Sequence, residues 1–368
     1  MQFTIQNAKL TPLLNFVIGV VEKKQVLPIL SHVLFSIKNN QLKLTASDLE
    51  LELVCSAPLD TDVTDAEISL PARKLFDICK SLSGESQVSF NLKDNVIHIA
   101  AESAKFSLMT LPASQFPQMT EQVNQEVLAQ FSLKQSDLKA SLERVAFAMA
   151  MDDFRYYLNG TLIELIGNKI SFVATDTHRL AYTEQQTEQS AKTKHRSIVP
   201  RKAVTEMIRL LAGDDPVEVK LFDNSIKITN NVFTFTSKLL EGQFPNYQAA
   251  IPEKNDQTFV VDTLILKNAL TRATLLLDQK AQALHLQLVD NQLKILASNS
   301  ENEQSEEILE IDYNHAELQI SYNASYLRNV LDVMETAQAQ ICIADNRSAM
   351  VEEVEGDQSF YLIMPIRD

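Results

Sequence analysis

The sequence predicts an α+β fold in which one structural unit is written three times along the chain. Three segments share a run of alternating apolar residues followed by Ala, then Ser or Thr, then Asp or Asn. Their alanines are Ala46, Ala174 and Ala297, so the spacings are 174 − 46 = 128 and 297 − 174 = 123 residues. A chain of 368 residues is too long for one hydrophobic core, and a repeat of this length suits one domain.

Two amphipathic helices are predicted in each unit, because apolar residues recur there at the i, i+3, i+4, i+7 spacing. The second helix is marked most clearly, since Pro71, Pro200 and Asn323 stand where helix-start residues belong. The predicted second helices are 72–82, 200–211 and 324–334. The predicted first helices are 11–22, 136–150 and 263–277.

Strands with period-2 alternation are predicted between the helices, for example at 33–38, 88–92, 217–221 and 284–288. Polar turn residues at 39–40, 93–95, 167–168 and 290–291 indicate hairpins. Alternation implies one buried and one solvated face, which is typical of antiparallel sheets. Each unit is therefore expected to run helix, about four strands, helix, about four strands, with two antiparallel sheets.

The expected domains are 1–125, 126–253 and 254–368, because the segments near 119–126 and 250–257 are polar, as linkers usually are. No apolar run has the length of a membrane span, and the N-terminus lacks the layout of a signal peptide, so a cytoplasmic protein is expected.

Composition excludes several kinds of chemistry. Cys55, Cys79 and Cys342 lie far apart, which argues against a disulfide framework and a zinc site. The chain has only 7 glycines and no phosphate-binding glycine motif, which disfavours nucleotide hydrolysis. The 6 histidines are scattered without metal-ligand spacing, so neither a metal nor a cofactor is expected.

Only the middle copy of the repeat continues into His178 and Arg179. An Asp close to a His can orient it as a general base, which suggests a catalytic role for Asp176 and His178. However, Asp48 and Asn299 occupy the equivalent positions without a following His-Arg pair. This favours a turn at the end of a strand, in which Asp176 accepts backbone N–H groups. No nucleophile elbow or kinase motif is present, so an enzyme is not expected.

The net charge of −15 argues against nucleic acid if it is evenly spread, but the basic residues concentrate on helices. The second helices of the first two units carry Arg73, Lys74, Lys80, Arg201, Lys202 and Arg209. One surface is therefore expected to be basic and the rest acidic. Tyr156 and Tyr157 follow Arg155; exposed, they would form a platform for bases or peptide, and buried, they would belong to the core.

Eight short motifs occur in one order along the chain: 27–30 LPIL, 71–74 PARK, 155–160 RYYLNG, 174–180 ATDTHRL, 199–202 VPRK, 235–238 FTSK, 244–245 FP and 364–367 MPIR. With these motifs and its three-fold repeat, the chain resembles the bacterial sliding clamps, the beta subunits of the replicative DNA polymerase III. The resemblance spans essentially all 368 residues.

The resemblance implies three DNA-clamp domains per chain and a head-to-tail homodimer that forms a closed ring with helices inside and sheets outside. Such a ring encircles duplex DNA without sequence preference and acts as a processivity factor. The implied partners are the replicative polymerase catalytic subunit, the clamp loader, other DNA polymerases, and mismatch-repair and initiation-control proteins. The alternative is a peptide-binding adaptor or ring paralogue that does not encircle DNA.

The resemblance also implies three sets of site residues. DNA would contact Lys24, Arg73, Tyr156, Tyr157, Arg201 and Lys202. At the dimer interface Phe106 and Leu108 would pack on Leu275 and Leu276, and Glu301, Glu303, Glu306 and Glu307 would face Lys74 and Lys105. A hydrophobic groove for client peptides would be lined by Arg155, Leu158, Thr175, Thr177, His178, Arg179, Leu180, Pro245, Leu362, Ile363, Met364, Pro365, Ile366 and Arg367.

The sequence departs from the family pattern at a few of these places. Asp152 stands where an uncharged polar residue is common, Thr177 where Gly is frequent, and Ala249 and Ala250 where larger residues are usual. Asp368 adds an acidic end. These departures predict an altered depth of the peptide pocket and a changed DNA contact near Asp152.

Overall fold

The computed structural model describes residues 1–21, 27–60, 63–119, 126–252, 257–277, 283–356 and 358–366, and for 190–192 it describes the backbone alone. The described helices are α1 (Asn7–Val17), α2 (Ala72–Ser81), α3 (Gln135–Ala146), α4 (Arg201–Leu210), α5 (Thr263–Ala273) and α6 (Ala324–Val333). The predicted second helices are confirmed within about one residue at each end. None of the described helices is long and apolar enough to cross a membrane.

The start predicted for the first helix was wrong. Thr11 followed by Pro12 resembles a helix start, but α1 begins four residues earlier, at Asn7. The buried Asn7 amide donates to the carbonyl oxygens of Cys79, Leu82 and Ser83 at the end of α2, at 2.9–3.3 Å. This tertiary contact fixes the first turn of α1, and such a contact overrides a local start signal.

The part of the chain that the structure describes contains twenty-two strands between and around these helices. In the first repeat they are β1 (Gln2–Gln6), β2 (His32–Lys38), β3 (Gln41–Ser47), β4 (Leu51–Pro58), β5 (Ala66–Pro71), β6 (Gln87–Lys93), β7 (Val96–Ala101) and β8 (Ala104–Met109). In the second they are β9 (Ala129–Lys134), β10 (Gly160–Thr175), β11 (Arg179–Pro200), β12 (Pro216–Leu221), β13 (Ser225–Thr229) and β14 (Phe233–Lys238). In the third they are β15 (Gln257–Asp262), β16 (Ala283–Val289), β17 (Gln292–Ser298), β18 (Gln304–Glu310), β19 (Leu318–Asn323), β20 (Gln338–Ile343), β21 (Ala349–Glu353) and β22 (Phe360–Ile363).

Each repeat begins with a strand rather than a helix, which corrects the predicted order. The strand before α1 pairs with the first strand after α2, and the strand before α2 pairs with the first strand after α1 (β1 with β6, and β5 with β2). The third repeat shows the same exchange, with β15 pairing β20 and β19 pairing β16. Each sheet in these repeats is therefore closed by a strand from the other half of the repeat.

The described residues form two compact units, Met1–Ser136 with Thr205–Leu239, and Asp137–Val204 with Leu240–Asp368. The first unit contains a sheet of order β1-β6-β7-β8 and a sheet of order β5-β2-β3-β4-β14-β13-β12-β9. Antiparallel pairing of β4 with β14 makes the larger sheet continuous from the first repeat into the second. Its core includes the stacked rings of Phe3 and Phe90, with centroids 4.7 Å apart.

The second unit contains a sheet of order β10-β11-β22-β21-β20-β15 and a sheet of order β18-β17-β16-β19. Here the antiparallel pairing of β11 with β22 makes one sheet of strands from the second and third repeats. The core on one face of that sheet combines Leu180, Leu362, Met350 and Cys342 with residues of the 240–251 segment.

The hairpin turns explain how the chain manages with few glycines. Both central residues are left-handed in three of the predicted turns: Asn39 and Asn40 (φ 50° and 57°), Asp94 and Asn95 (49° and 61°), Asp290 and Asn291 (51° and 59°). Two left-handed residues match the twist of a two-residue hairpin, and Asn and Asp tolerate this conformation better than other side chains do.

Candidate functional site

The turn between β10 and β11 is built around the Asp176 carboxylate. Its Oδ1 accepts the backbone N–H groups of His178 and Arg179, each at 3.0 Å. Thr177, between Asp176 and His178, is left-handed, with φ 75°. The structural interpretation of Asp176 as a strand-end turn residue is confirmed.

Arg179 binds the second oxygen of the Asp176 carboxylate, because its Nε donates to Oδ2 at 3.0 Å. Its Nη1 donates to Asn329 on α6 at 2.7 Å, and its guanidinium lies 4.4 Å from the Tyr326 ring centroid. The Phe147 ring lies on it too, at 5.3 Å. The carboxylate is thus committed to Arg179 and the backbone, while the His178 side chain is exposed, an arrangement that differs from a general-base pair.

A cavity of about 680 Å³ opens beside this turn. Its lining residues come from the turn, from α6 and the residue before it, from the loop between β20 and β21, and from the C-terminal segment: Thr177, His178, Asn323, Tyr326, Asn346, Met364, Pro365 and Ile366. The C-terminal segment is held by two backbone bonds, from Met364 N–H to the His178 carbonyl and from Ile366 N–H to the Ser321 carbonyl, each 2.8 Å. An apolar wall facing amide groups suits an extended peptide with apolar anchors.

Asn323, Tyr326 and Asn346 line this cavity but were not predicted. Asn323 was recognised only as a helix-start residue, and its side chain does cap α6 by accepting the Ser325 N–H. The sequence signal that could have identified one of them was the position of Tyr326 in the first turn of the third repeat's second helix. Sequence spacing alone does not show that this turn lies beside the strand end at Thr177.

The other residues expected in the groove lie around the cavity rather than in it. Leu158, Leu180 and Leu362 are 0–5% exposed, and Leu180 and Leu362 belong to the hydrophobic core of the second unit. Leu362 and Ile363 point to opposite faces of β22, so Ile363 cannot line the same face and instead fills the core behind it. Thr175 is buried and donates to the Arg179 carbonyl, Pro245 is half-buried, and Arg367 lies outside the described residues.

The segment before β10 separates the two tyrosines. Tyr156 is 72% exposed, whereas Tyr157 is half-buried against the core of the second unit. Arg155 binds Asp153 through two nitrogens at 3.0 and 2.9 Å, and these bonds lower the pKa of Asp153 to about 2. Of the two alternatives for these rings, exposure holds for Tyr156 and packing for Tyr157.

The basic residues of the second helices are only partly available. Arg73 donates to the Val21 carbonyl at 2.6 Å, and Arg201 donates to the Met149 carbonyl at 3.1 Å, so both keep their charge while their positions are fixed. Arg209 is neutralised by the buried Glu206 at 2.7 Å, which reduces the charge expected for α4. Lys202 is half-buried, and Lys24 lies outside the described residues.

The residues expected at a dimer interface lie on β8 and beside β18. Phe106 and Leu108 are half-exposed on β8, next to the exposed Lys105, and Lys74 is exposed on α2. Leu275 is 76% exposed and Leu276 is half-buried, while Glu301, Glu303 and Glu306 are exposed. Glu307 differs from expectation, because Arg272 binds it through two bonds of 2.7 and 2.6 Å and lowers its pKa.

No group of three or more His, Cys, Asp or Glu side chains is placed to hold a metal ion within the part of the chain that the structure describes. Cys55, Cys79 and Cys342 are free and buried. Burial raises the pKa of the Cys55 and Cys79 thiols to about 12, which keeps them protonated and unreactive.

Three-fold repetition of paired helices and antiparallel sheets, with a peptide-sized cavity at the end of a strand, defines a protein of the DNA-clamp class. Family models for the N-terminal, central and C-terminal domains of the DNA polymerase III beta subunit match residues 1–120, 132–246 and 248–367. The chain belongs to the beta sliding clamp family, the beta subunits of bacterial DNA polymerase III, and is a DNA sliding clamp.

Its relatives match it from end to end. The beta sliding clamp of Pseudomonas aeruginosa is 42% identical over 369 residues, and that of Escherichia coli (strain K12) is 36% identical; in both cases all of each chain is covered. The crystal structure of the Pseudomonas aeruginosa subunit matches with a TM-score of 0.95 at 41% identity, covering all of both chains. The Bartonella birtlesii clamp bound to griselimycin matches with a TM-score of 0.95 at 29% identity, again over both full chains.

Proposed function

We propose that this clamp is a non-catalytic processivity factor that closes into a ring as a head-to-tail homodimer, encircles duplex DNA and recruits client proteins through the cavity beside Asp176. The three domains in this proposal are 1–125, 126–253 and 254–368, and the ring works in the cytoplasm. Its clients are the replicative polymerase catalytic subunit, the clamp loader, other DNA polymerases, and mismatch-repair and initiation-control proteins.

The pairing of the outer strands carries the ring proposal. Each half of a repeat contributes one outer strand, which is β4, β11 or β18 from the first halves and β8, β14 or β22 from the second halves. Within the chain, a first-half strand pairs with the second-half strand of the next repeat: β4 with β14, and β11 with β22. Of these six outer strands as the structure describes them, β18 and β8 are left with one neighbour each.

By the same rule, β18 should pair with the second-half outer strand of a following repeat. Because no repeat follows it in this sequence, we propose that β8 of a second copy is its partner. Because the pairing is mutual, two copies satisfy both free edges, and the assembly closes with two-fold symmetry. An unpaired edge strand is a liability for a soluble protein, so covering both edges also protects the chain from unspecific pairing.

Side chains near the two edges are complementary. Lys105 on β8 and Lys74 on α2 are exposed and basic, whereas Glu301, Glu303 and Glu306 beside or on β18 are exposed and acidic. Half-exposed Phe106 and Leu108 would meet the exposed Leu275 and half-buried Leu276. The apolar contacts would supply most of the affinity, since an exposed ion pair contributes about 0–1 kcal/mol and mainly sets orientation.

The DNA contact in this proposal is weak and independent of sequence. Arg73, Arg201, Lys202 and Lys24 supply positive potential, and Tyr156 offers an exposed ring beside the duplex. Few tight phosphate contacts are needed, because topological linkage rather than affinity retains the ring. Asp152, exposed and left-handed in the loop before Tyr156, reduces the positive potential there.

For clients, we propose a short extended peptide with apolar anchors. Met364, Pro365 and Ile366 would contact the anchors, while Asn323, Asn346 and His178 hold the peptide backbone. Ala249 is exposed and Ala250 is half-buried against the core that contains Leu180, and we expect these small residues to leave a deeper pocket than larger ones would. Solved clamps of Pseudomonas aeruginosa and Bartonella birtlesii are bound to griselimycin, which supports a ligand site on a clamp of this family.

Retention on DNA tests the proposal against the alternative of an adaptor that binds peptides without encircling DNA. The chain should sediment as a dimer of about 83 kDa, which is 2 × 41.3 kDa. Loaded onto nicked circular DNA, it should stay bound through gel filtration and be lost after the circle is linearised. Equal retention on circular and linear DNA, or a stable monomer, would overturn the ring.

The groove is tested separately with a Met364→Ala variant. It should weaken binding of a client peptide about tenfold, because a buried apolar anchor commonly contributes 1 kcal/mol or more. Its dimer mass should not change, since Met364 lies away from β8 and β18 in sequence and in sheet order. Unchanged peptide affinity would contradict the assignment of this cavity.

A further inference from the structure

A second cavity in the Asp137–Val204 and Leu240–Asp368 unit has a different chemistry from the peptide cavity. It measures about 590 Å³ and lies on one face of the sheet of order β10-β11-β22-β21-β20-β15. Four side chains stand next to one another across neighbouring strands and line it: Tyr182 on β11, Phe360 on β22, Glu352 on β21 and Gln340 on β20. The Tyr247, Gln248 and Ile251 side chains close one side of it.

Aromatic rings form the base of this second cavity. The rings of Tyr182 and Phe360 are stacked, with centroids 4.7 Å apart and an angle of 17° between their planes. The Tyr247 ring lies 5.9 Å from that of Tyr182. Aromatic faces carry negative electrostatic potential, and they attract an ammonium or guanidinium group within about 6 Å.

Most charged groups around the cavity already have partners. Glu164 is bound by Lys194 at 2.8 Å and by Arg196 at 3.2 Å, and it accepts the Tyr247 hydroxyl. Glu184 is bound by Lys169 at 3.0 Å and accepts the Tyr182 hydroxyl. Glu353 accepts the backbone N–H groups of Glu335 and Thr336. Lys169 is the one lysine or arginine among the described residues that line the cavity, and Glu184 already neutralises it.

Glu352 and Glu355 are the exceptions. Neither carboxylate has a hydrogen-bond or ion-pair partner among the residues that the structure describes, and Glu352 is half-buried between Phe360 and Gln340. Burial raises the pKa of Glu352, and within the described part of the chain no cation offsets that cost. A half-buried carboxylate without a cation is unfavourable, and the cost is recovered if a ligand supplies the cation.

We propose that this second cavity binds an arginine side chain of a protein partner, with the guanidinium stacked on the Phe360 ring and paired with Glu352. Arginine fits better than lysine for two reasons. A planar guanidinium lies flat on an aromatic ring, and its five N–H groups can reach the Glu352 carboxylate and the Gln340 amide oxygen together. Glu355, on the exposed turn at the rim, adds long-range attraction for a cation.

The site is separate from the client cavity beside Asp176, because the two sets of lining residues have no member in common. The proposal therefore stands independently of the ring and of the client peptide. It predicts that protein partners with an arginine-bearing segment contact this clamp at the second cavity, whether or not they also occupy the client cavity.

Titration of the full chain with the peptide acetyl-Gly-Gly-Arg-Gly-Gly-amide tests the site, followed by two-dimensional NMR or calorimetry. The citrulline peptide has nearly the same shape without the charge, and we expect it to bind about tenfold more weakly. The lysine peptide should also bind more weakly than the arginine peptide. Equal binding of the citrulline peptide, or tighter binding of the lysine peptide, would overturn the assignment.

Glu352→Gln should weaken the arginine peptide about fivefold or more and leave the citrulline peptide unchanged. The variant is expected to fold, because it removes a half-buried charge without an ion-pair partner among the described residues. Glu188→Gln is the matched control, an exposed carboxylate on β11 outside the cavity. An equal loss in both variants would indicate a diffuse acidic surface, and no loss in Glu352→Gln would remove the site.

Discussion

The turns at Asp48 and Asp176 have the same backbone design but different uses. Asp48 Oδ1 accepts the N–H groups of Glu50 and Leu51 at 2.9 and 2.6 Å, as Asp176 does for its own turn. Leu49 and Thr177 occupy the same left-handed position, with φ 77° and 75°. The turn at Asn299 in the third repeat again accepts two backbone N–H groups through its side-chain oxygen.

The difference lies in what meets the tip of each turn. At the first, Lys238 at the end of β14 donates its N–H to the Glu50 carbonyl and pairs with the Glu50 carboxylate at 3.3 Å. At the second, Met364 donates its N–H to the His178 carbonyl, but its apolar side chain lines a cavity. The same backbone thus closes a joint within the chain at one place and leaves room for a ligand at the other.

Replacing the turn aspartates by alanine should give the largest difference between the two turns in the free energy of unfolding. Asp48→Ala removes the acceptor of two backbone N–H groups, whereas Asp176→Ala also leaves the mostly buried Arg179 without its carboxylate. We expect losses in the free energy of unfolding of about 1–3 kcal/mol for the first and about 2–5 kcal/mol for the second. Urea denaturation of both variants measures this, and equal losses would show that Arg179 contributes nothing at the second turn.

Arg179→Leu makes the second turn more like the first, which carries Leu51 at that position. The change removes the bonds to Asp176 and Asn329 and the contacts with Tyr326 and Phe147, at a cost of about 1–3 kcal/mol. Arg179→Lys should recover part of this, because it keeps the charge but not the planar stacking. A lysine variant as stable as the parent would exclude a role for the ring contacts.

His178→Ala tests whether the second turn is a binding surface. The side chain is exposed, so stability should not change, but a client peptide should bind about 3- to 10-fold more weakly. Glu50→Ala, the equivalent change in the first turn, is the control and should leave peptide affinity unaffected. A peptide that binds His178→Ala and the parent equally would place its contacts elsewhere in the cavity.

Glycine at the left-handed positions should produce the smallest effect, of the same sign in both turns. Thr177→Gly and Leu49→Gly each relieve a strained positive φ and should stabilise the folded state by about 0.5–1 kcal/mol. Thermal melting compares the two variants with the parent. A loss of stability at Thr177 alone would indicate that its side chain makes a contact worth more than the strain.

The repeat and its second helices were predictable from the sequence because their signals are local. Helix-start signals are local, and they stand directly before the second helices at Pro71, Pro200 and Asn323. The alternating strands have one clearly apolar face, which is also a local pattern. The start of α1 was not predictable, since it depends on the Asn7 amide reaching carbonyls about 75 residues away. The exchange of strands between the two halves of a repeat was not predictable either, because the spacing of apolar residues identifies a strand but not the strand that it pairs with.

The candidate site likewise contains features that the local sequence predicts and contacts that it does not predict. The turn role of Asp176 followed from comparing three copies of one motif, and the bonds at His178 and Arg179 confirm it. The pairing of Glu307 with Arg272 did not follow, because Arg272 on α5 and Glu307 on β18 are 35 residues apart and meet only in the folded chain. Asn346 and Tyr326 were missed for the same reason, as they lie beside Met364 only in the folded chain.

The pairing of β4 with β14 also determines how long the edge of β4 stays unpaired during synthesis on the ribosome. Cys55 is opposite Phe233, so the ribosome must add 233 − 55 = 178 residues before the edge of β4 can be covered. At the usual rate of 5–20 residues per second this takes about 9–36 s. During that interval the nascent first repeat exposes an unpaired strand, and slowing elongation between residues 60 and 230 should increase its aggregation or its demand for chaperones.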